Sequence, residues 1–267
     1  RTRRAGGLMV IGEDPRPIRS LTVDALRVLV YEDERQLGIA AGRAVASELR
    51  ALLARQARAR VVFASAPSHR EMWRELSRAQ GIGWDRVVAF HMDEYVGLPA
   101  GSPGSLGGLL CRELLAIVRP GEVHLIDGSA HPAEECRRYS QLIAEAPIDI
   151  ACMGIGENGH IAFNEPGEAD FQDSRLMKVV RLDTESRQQQ VNDGTFASHP
   201  EVPERALTLT VPALMAARRI FCVVPGHRKR QAVQRALWGK VSPSCPASIL
   251  RRHPNSILYL DAGSWGG

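Results

Sequence analysis

The chain has 267 residues, enough to bury a sizeable core as one large α/β domain or two small ones. Hydrophobic residues at 44% and charged residues at 24% are ordinary for a soluble globular protein, and no apolar run approaches the length that spans a bilayer. The formal charge of +4 raises the question of nucleic acid, but aromatics are only 5% and the arginines are spread through helical stretches that also carry acids, which reads as a solvated Arg-rich surface.

The opening RTRRAGG is basic and leads into GEDPRPIRS with no apolar h-region, so it does not read as a secretory signal. It lacks an initiator Met, and the native N-terminus is expected upstream or to have been trimmed. Residues 1–20 hold Pro, Gly and Arg without periodicity and read as a mobile arm, leaving residues 21–267 as a single domain.

From there β and α patterns alternate. LRVLVY (26–31) precedes a long amphipathic stretch at 33–56, and RVVFAS (60–65) precedes HREMWRELSRA. RVVAFHMD (86–93) is followed, after a Gly/Pro/Ser loop, by SLGGLLCRELLAIV; EVHLID (122–127) precedes PAEECRRYSQLIAEA; and IDIACMG (148–154) runs into a glycine turn. LMKVVRL, ALTLT, RIFCVVPG and SILYLD continue the series, with a helix-like HRKRQAVQRALWG after VVPG. Apolar strands separated by helical patterns predict a single three-layer αβα domain around a mainly parallel, Rossmann-like sheet. The five cysteines, Cys111, Cys136, Cys152, Cys222 and Cys245, are scattered without a C-x-x-C. Such a set points to a reducing cytoplasm and against a metal cluster, with Cys152 and Cys222 as buried thiols inside strands.

GIGENGH (154–160) spells G-x-G-x-x-G directly after an apolar run, the spacing of a dinucleotide-binding turn. That turn needs a helix starting at its third glycine, to receive the pyrophosphate. Here Gly159 is followed by HIAFNEPG, and Pro166 and Gly167 end any helix within two turns. Asp183, at the end of LMKVVRL, could pose as the ribose-binding acid, but no crossover helix carries it there. The loop instead collects Asn158, His160 and Glu165. On an extended chain positions 158 and 160 point the same way, and Glu165 can fold back across the Asn-Glu-Pro-Gly turn to the imidazole. A carboxylate beside a histidine fixes its tautomer, as a general acid–base requires. Gly156 and Gly159 would then bring backbone N–H groups close to a polyhydroxy ligand.

AFHMDEYVGLP (89–99) ends a strand on Asp93 and Glu94, beside His91 and Tyr95. Neighbours on an extended chain point in opposite directions, so at most one carboxylate faces a pocket and the other is free to bind backbone; both are candidate site residues. Ser65 and Ser68, before a helix start in FASAPSHREMW, suit capping and also a phosphate. Lys229 follows a strand in VVPGHRKRQAV, in a chain with only three lysines (Lys178, Lys229, Lys240), and is a phosphate candidate.

Taken together, MDEYVGLP, GIGENGHIAFNEPG, PERALTLTVPALMAA and the CVVPGHRK turn resemble the glucosamine-6-phosphate deaminase (isomerase) family, within the wider sugar-phosphate isomerase and 6-phosphogluconolactonase group; the likeness covers roughly residues 25–262. It implies that Asp93 is the enolisation base, moving a proton between C2 and C1 of an open-chain sugar. It implies further that His160 is the ring-opening acid–base, with Glu165 and Asn158 completing its relay. The products would be fructose 6-phosphate and ammonia, with no metal or organic cofactor, from a small sugar phosphate and without nucleic acid or membrane; a homo-oligomer is compatible. Two departures concern phosphate. Family members carry a Gly-rich G-[ST]-T-P-type turn where this chain has ASAPSH, with Ala66 and Pro67, and an Ala-Asn-Ser-Arg stretch where it has ESRQQQVNDG, with Arg187 only loosely in register. Rival readings are a lactonase-like hydrolase, which needs only the His and a water, and a non-catalytic sugar-phosphate sensor.

Overall fold

A computed structural model of the chain describes residues 14–99 and 101–266. Residues 1–13 of the arm expected at 1–20 lie outside the described residues, whereas Arg19 and Ser20 at its end belong to the sheet. Arg19–Val23 form strand β1, paired antiparallel with β2 (Leu26–Tyr31). Leu21 and Val23 alternate inward onto the core, a period-two signal too short to stand out beside the prolines.

Asp33 caps helix α1 (Glu34–Leu53) by accepting from Gln36 N–H, and Leu37, Ala41, Val45, Leu49 and Leu52 form its buried stripe. Strand β3 (Ala59–Phe63), helix α2 (Arg70–Arg78) and strand β4 (Val87–His91) follow. The sequence pattern ran β4 on to Asp93, but the chain leaves the sheet at Met92. The Met92 carbonyl accepts from Leu209 N–H at 2.8 Å, and Asp93–Tyr95 becomes a separate strand, β5.

Helix α3 (Leu106–Leu110), a π-helical turn at Cys111–Leu115 and helix α4 (Ala116–Val118) lead to edge strand β6 (Glu122–His124). Helix α5 (Pro132–Ala144) and strand β7 (Ile150–Met153) come next. No helix separates β7 from β8 (Met177–Arg181), as the Pro166–Gly167 signal required. Helix α6 (Thr184–Asn192), strand β9 (Arg205–Leu209), helix α7 (Val211–Met215), strand β10 (Arg219–Val224), helix α8 (Arg230–Trp238), strand β11 (Ser256–Asp261) and helix α9 (Ala262–Trp265) complete the chain.

The main sheet has the order β1-β2-β11-β10-β7-β3-β4-β6, with every pairing parallel except β1–β2. Its central strands are apolar on both faces because both are covered. Val62, Ala151, Cys222 and Leu258 face one core with α5, α7 and α8, while Val61, Cys152, Phe221 and Tyr259 face the other with α1 and α2. The predicted three-layer α/β fold is the one observed. The pattern did not show that β5, β9 and β8 form a second, antiparallel sheet of their own. This small sheet matters because it carries Asp93 out from the main sheet to the carboxyl ends of β3, β7 and β10. Among the described residues no helix is long and apolar enough to cross a membrane.

Candidate active site

The carboxyl ends of the central parallel strands open into one cleft, the usual ligand position in such a sheet. The β3 end supplies Ser65, Ser68 and His69; the β7 end supplies Gly156 and His160; the turn after β10 supplies Lys229; and β5 supplies Asp93. Residues named from four separate stretches of sequence thus line the same cavity.

Asp93 is 8% exposed, and burial, reinforced by the charge of Glu94, pushes its carboxyl up to about 8. Glu94 takes the opposite course. Burial would raise it, but the His91 ring and the backbone N–H groups of Gly107 and Tyr95 outweigh that and hold it below the ordinary range. Its Oε1 accepts from Tyr95 N–H (2.9 Å) and Leu106 N–H (3.1 Å), and its Oε2 from Ser105 Oγ (2.8 Å) and Gly107 N–H (2.9 Å). The expectation that one carboxylate faces the pocket and the other binds backbone is met. The naming of Glu94 as a ligand contact is corrected: it is 2% exposed, saturated at the N-terminus of α3, and absent from the cavity wall.

The glycine turn serves His160. Gly156 has no side chain because the imidazole occupies that space: a Cβ there would lie 2.1 Å from His160 Cε1. Gly159 adopts φ +94°, which bends the loop back so that Gly159 N–H donates to Gly156 O at 3.0 Å. Gly156 N–H donates to His160 O at 2.9 Å. The expectation that these glycines present N–H groups to a ligand is therefore corrected, since both donors are used inside the loop. Gly156 still lines the cavity, whereas Gly159 packs toward Cys245 and does not.

Asn158, 3% exposed, points to the same side as His160, as the alternation predicted. Its Oδ1 accepts from His160 N–H (3.0 Å) and from the ring Nδ1–H (2.8 Å). An amide oxygen can only accept, so Nδ1 carries the proton, and Nε2, which bonds to no described residue, is left to the cavity. Glu165 does fold back, but its Oε2 lies 3.4 Å from Nδ1 and 2.6 Å from Asn158 Nδ2, so Asn158 is the closer partner of both. Burial raises the Glu165 carboxyl; the His160 ring, together with hydrogen bonds from Ser186 and Asn158, more than offsets this and leaves it lowered. Ala162, beside this loop on the cavity wall, sits at φ +47°, a left-handed conformation that costs a non-glycine residue about 1–2 kcal/mol.

The other end of the cleft suits an anion. Lys229 is 8% exposed and its Nζ donates no hydrogen bond to a described residue. Burial lowers its pKa, against the opposing charges of Asp193 and Glu157. Ser65 Oγ and His69 Nε2 are buried without partners on the same wall. Burial pushes the His69 ring down to about 4, which keeps it neutral. Ala66 is extended (φ −138°), so the turn does not require glycine there, and Pro67 opens the following 3₁₀ turn without an N–H to offer. Arg187 turns away, donating to the carbonyls of His199 and Val202, and α6 instead places Gln189 and Gln190 at the cleft, with Asp193 at its C-cap.

Asp183, Ser186, His69 and the α6 glutamines were missed from the sequence as site residues. Only Asp183 left a usable signal, as the capping residue in LDTES that starts α6.

Compared with known proteins, residues 32–259 match the family described as glucosamine-6-phosphate isomerases/6-phosphogluconolactonase. A glucosamine-6-phosphate deaminase of Listeria monocytogenes serotype 4a is 38% identical over 176 residues, covering 66% of this chain and 73% of that protein. One from Bacillus cereus is 34% identical over 185 residues, 69% of each. Among solved structures, a monomeric glucosamine-6-phosphate deaminase superposes with a TM-score of 0.82 at 28% identity, over 90% of this chain and 98% of that one. The 6-phosphogluconolactonase of Thermotoga maritima gives 0.72 at 20% identity, over 88% and 99%, a likeness of fold alone.

Proposed function

The chain belongs to the glucosamine-6-phosphate isomerase/6-phosphogluconolactonase family, and from that premise we propose that it is an amino-sugar-phosphate isomerase–deaminase, converting glucosamine 6-phosphate and water to fructose 6-phosphate and ammonia. The observation that supports this most is the pairing, across one cleft, of a carboxyl held at about 8 with an imidazole anchored at Nδ1 by Asn158. Proton transfer next to a carbonyl calls for the first, and ring opening for the second.

In this reading His160, through Nε2, exchanges protons with the sugar hydroxyl and ring oxygen as the pyranose opens. Asp93, ionised, takes the proton from C2 and returns it to C1. The nitrogen at C2 becomes an imine, which adds water and releases ammonia, leaving the ketose. A carboxyl that binds its proton more tightly than usual is a stronger base once ionised. Lys229, with Ser65, Ser68 and His69, holds the phosphate. A lactone hydrolase would need His160 and a water but has no use for the Asp93 carboxyl.

The test is incubation of the purified protein with glucosamine 6-phosphate while ammonia and fructose 6-phosphate are measured together. Equal release of both supports the reading. Absence of both, with 6-phosphogluconolactone hydrolysed instead, would move the chain to the lactonase branch.

A further inference from the structure

Asn158 does more than accept from His160. Its amide is saturated: Oδ1 takes the two His160 donors, and Nδ2 gives its two protons to Glu165 Oε2 (2.6 Å) and Asp183 Oδ2 (2.8 Å). The Asn158 backbone carbonyl is held in turn by Arg235 of α8 at 2.6 Å. An amide has one accepting and one donating end. Two carboxylates on one side therefore dictate which end faces the imidazole. Asp183 reaches this position from the far end of the small sheet, with its other oxygen capping α6 through Ser186 N–H at 2.7 Å.

We infer that Asp183 is a positioning residue for His160: with Glu165 it clamps the Asn158 amide so that Oδ1, never Nδ2, meets the ring, and thereby keeps the proton on Nδ1 and Nε2 open to the cavity. A rotated amide would point N–H at Nδ1, move the proton to Nε2, and remove the acceptor that ring opening uses. Asp183 also supplies a carboxylate to the relay through a neutral Asn158. The role in ring opening rests on the function proposed above; the tautomer does not. Besides Glu165 and Arg235, the charged groups near this relay are Asp93, Asp193 and Lys229 on the cleft side, and Glu168, Arg181, Arg187 and Glu204, which line a second hollow with Glu165 and Asp183.

Asp183→Asn and Asp183→Ser test this, because Asn and Ser cap a helix about as well as Asp and α6 should persist. Imidazole ¹⁵N shifts, assigned with His160→Gln, report the His160 tautomer without any substrate. Both variants should gain the Nε2–H form and lose about 10- to 100-fold in kcat on closed-ring sugar with little change in KM, the usual size for a group that orients a functional histidine. Asn158→Asp alone crowds a third carboxylate against two others and should also be impaired. The double variant Asn158→Asp/Asp183→Asn restores an accepting oxygen at Nδ1 and should outperform both Asn158→Asp and Asp183→Asn. An unchanged tautomer in both Asp183 variants overturns the inference, whatever the activity does. So does a double variant no better than its parents. Should glucosamine 6-phosphate not be turned over at all, the ¹⁵N shifts still decide.

Discussion

Asp93 and Glu94 are consecutive residues whose carboxyls are driven in opposite directions, Asp93 up to about 8 and Glu94 below the ordinary range. Both are buried. They differ in partners, since Glu94 accepts four hydrogen bonds and faces His91, while Asp93 has a cavity in front of it and the Glu94 charge beside it.

If Asp93 is the enolisation base, Asp93→Asn should lower turnover by about two to four orders of magnitude and abolish solvent-hydrogen exchange at C2. In the unaltered protein kcat/KM should rise with pH through a group near 8. Near-normal ammonia release by the variant rules the role out.

The same shift has a consequence for stability. A carboxyl whose folded pKa is raised contributes fully below its unfolded value near 3.8, and that contribution is lost as pH climbs toward about 8. Asn at position 93 does not titrate. The Tm of the unaltered protein should therefore fall relative to Asp93→Asn as pH rises through that window. Parallel Tm curves would show that Asp93 is not shifted.

Glu94→Gln separates charge from shape. Removing the second cause of the Asp93 shift should move the alkaline rise in kcat/KM to lower pH. The loss of a carboxylate that accepts from Leu106, Gly107 and Tyr95 should cost about 1–3 kcal/mol in denaturant unfolding. A lower stability with an unmoved pH profile would make Glu94 a cap for α3 and nothing more.

Gly156→Ala places a Cβ where the His160 ring stands, 2.1 Å from Cε1. The ring must move, and a displacement of that order costs about a hundredfold in kcat. Retained kcat would mean that His160 is not held at the reacting position.

Lys229→Met removes a buried cation from the expected phosphate end. A contact of equal strength in ground and transition states raises KM and spares kcat, here by roughly 1.5–3 kcal/mol, or about ten- to over a hundredfold in kcat/KM. Inorganic phosphate should compete with substrate in the unaltered protein and much less in the variant. An unchanged KM, with no competition by phosphate in either, would mean that the ligand carries no phosphate.

The alternation of apolar runs with helical stretches was enough to read the three-layer α/β fold, because a strand covered on both faces is written as a nearly unbroken apolar segment. The loop Asn158–Glu165 was legible for a related reason: its partners are near neighbours in the chain, and the alternation of an extended backbone sets Asn158 and His160 on one side. The same locality explains why Asp93 and Glu94 were seen to part ways. What it could not reveal was which of them meets the cavity. That depends on the chain leaving the main sheet at Met92 to pair with β9, more than a hundred positions away, through a backbone hydrogen bond that no local propensity encodes. Asp183 is the plainest instance. In the sequence it stood only as a discarded ribose-binding acid; it becomes a partner of Asn158 only because β8 returns along the small sheet and sets the start of α6 beside the glycine turn. Apolar patterning and turn chemistry are properties of a few consecutive residues and survive in the sequence. A hydrogen bond between distant residues exists only after the topology has brought them within about 3 Å, so the tertiary structure alone decides it.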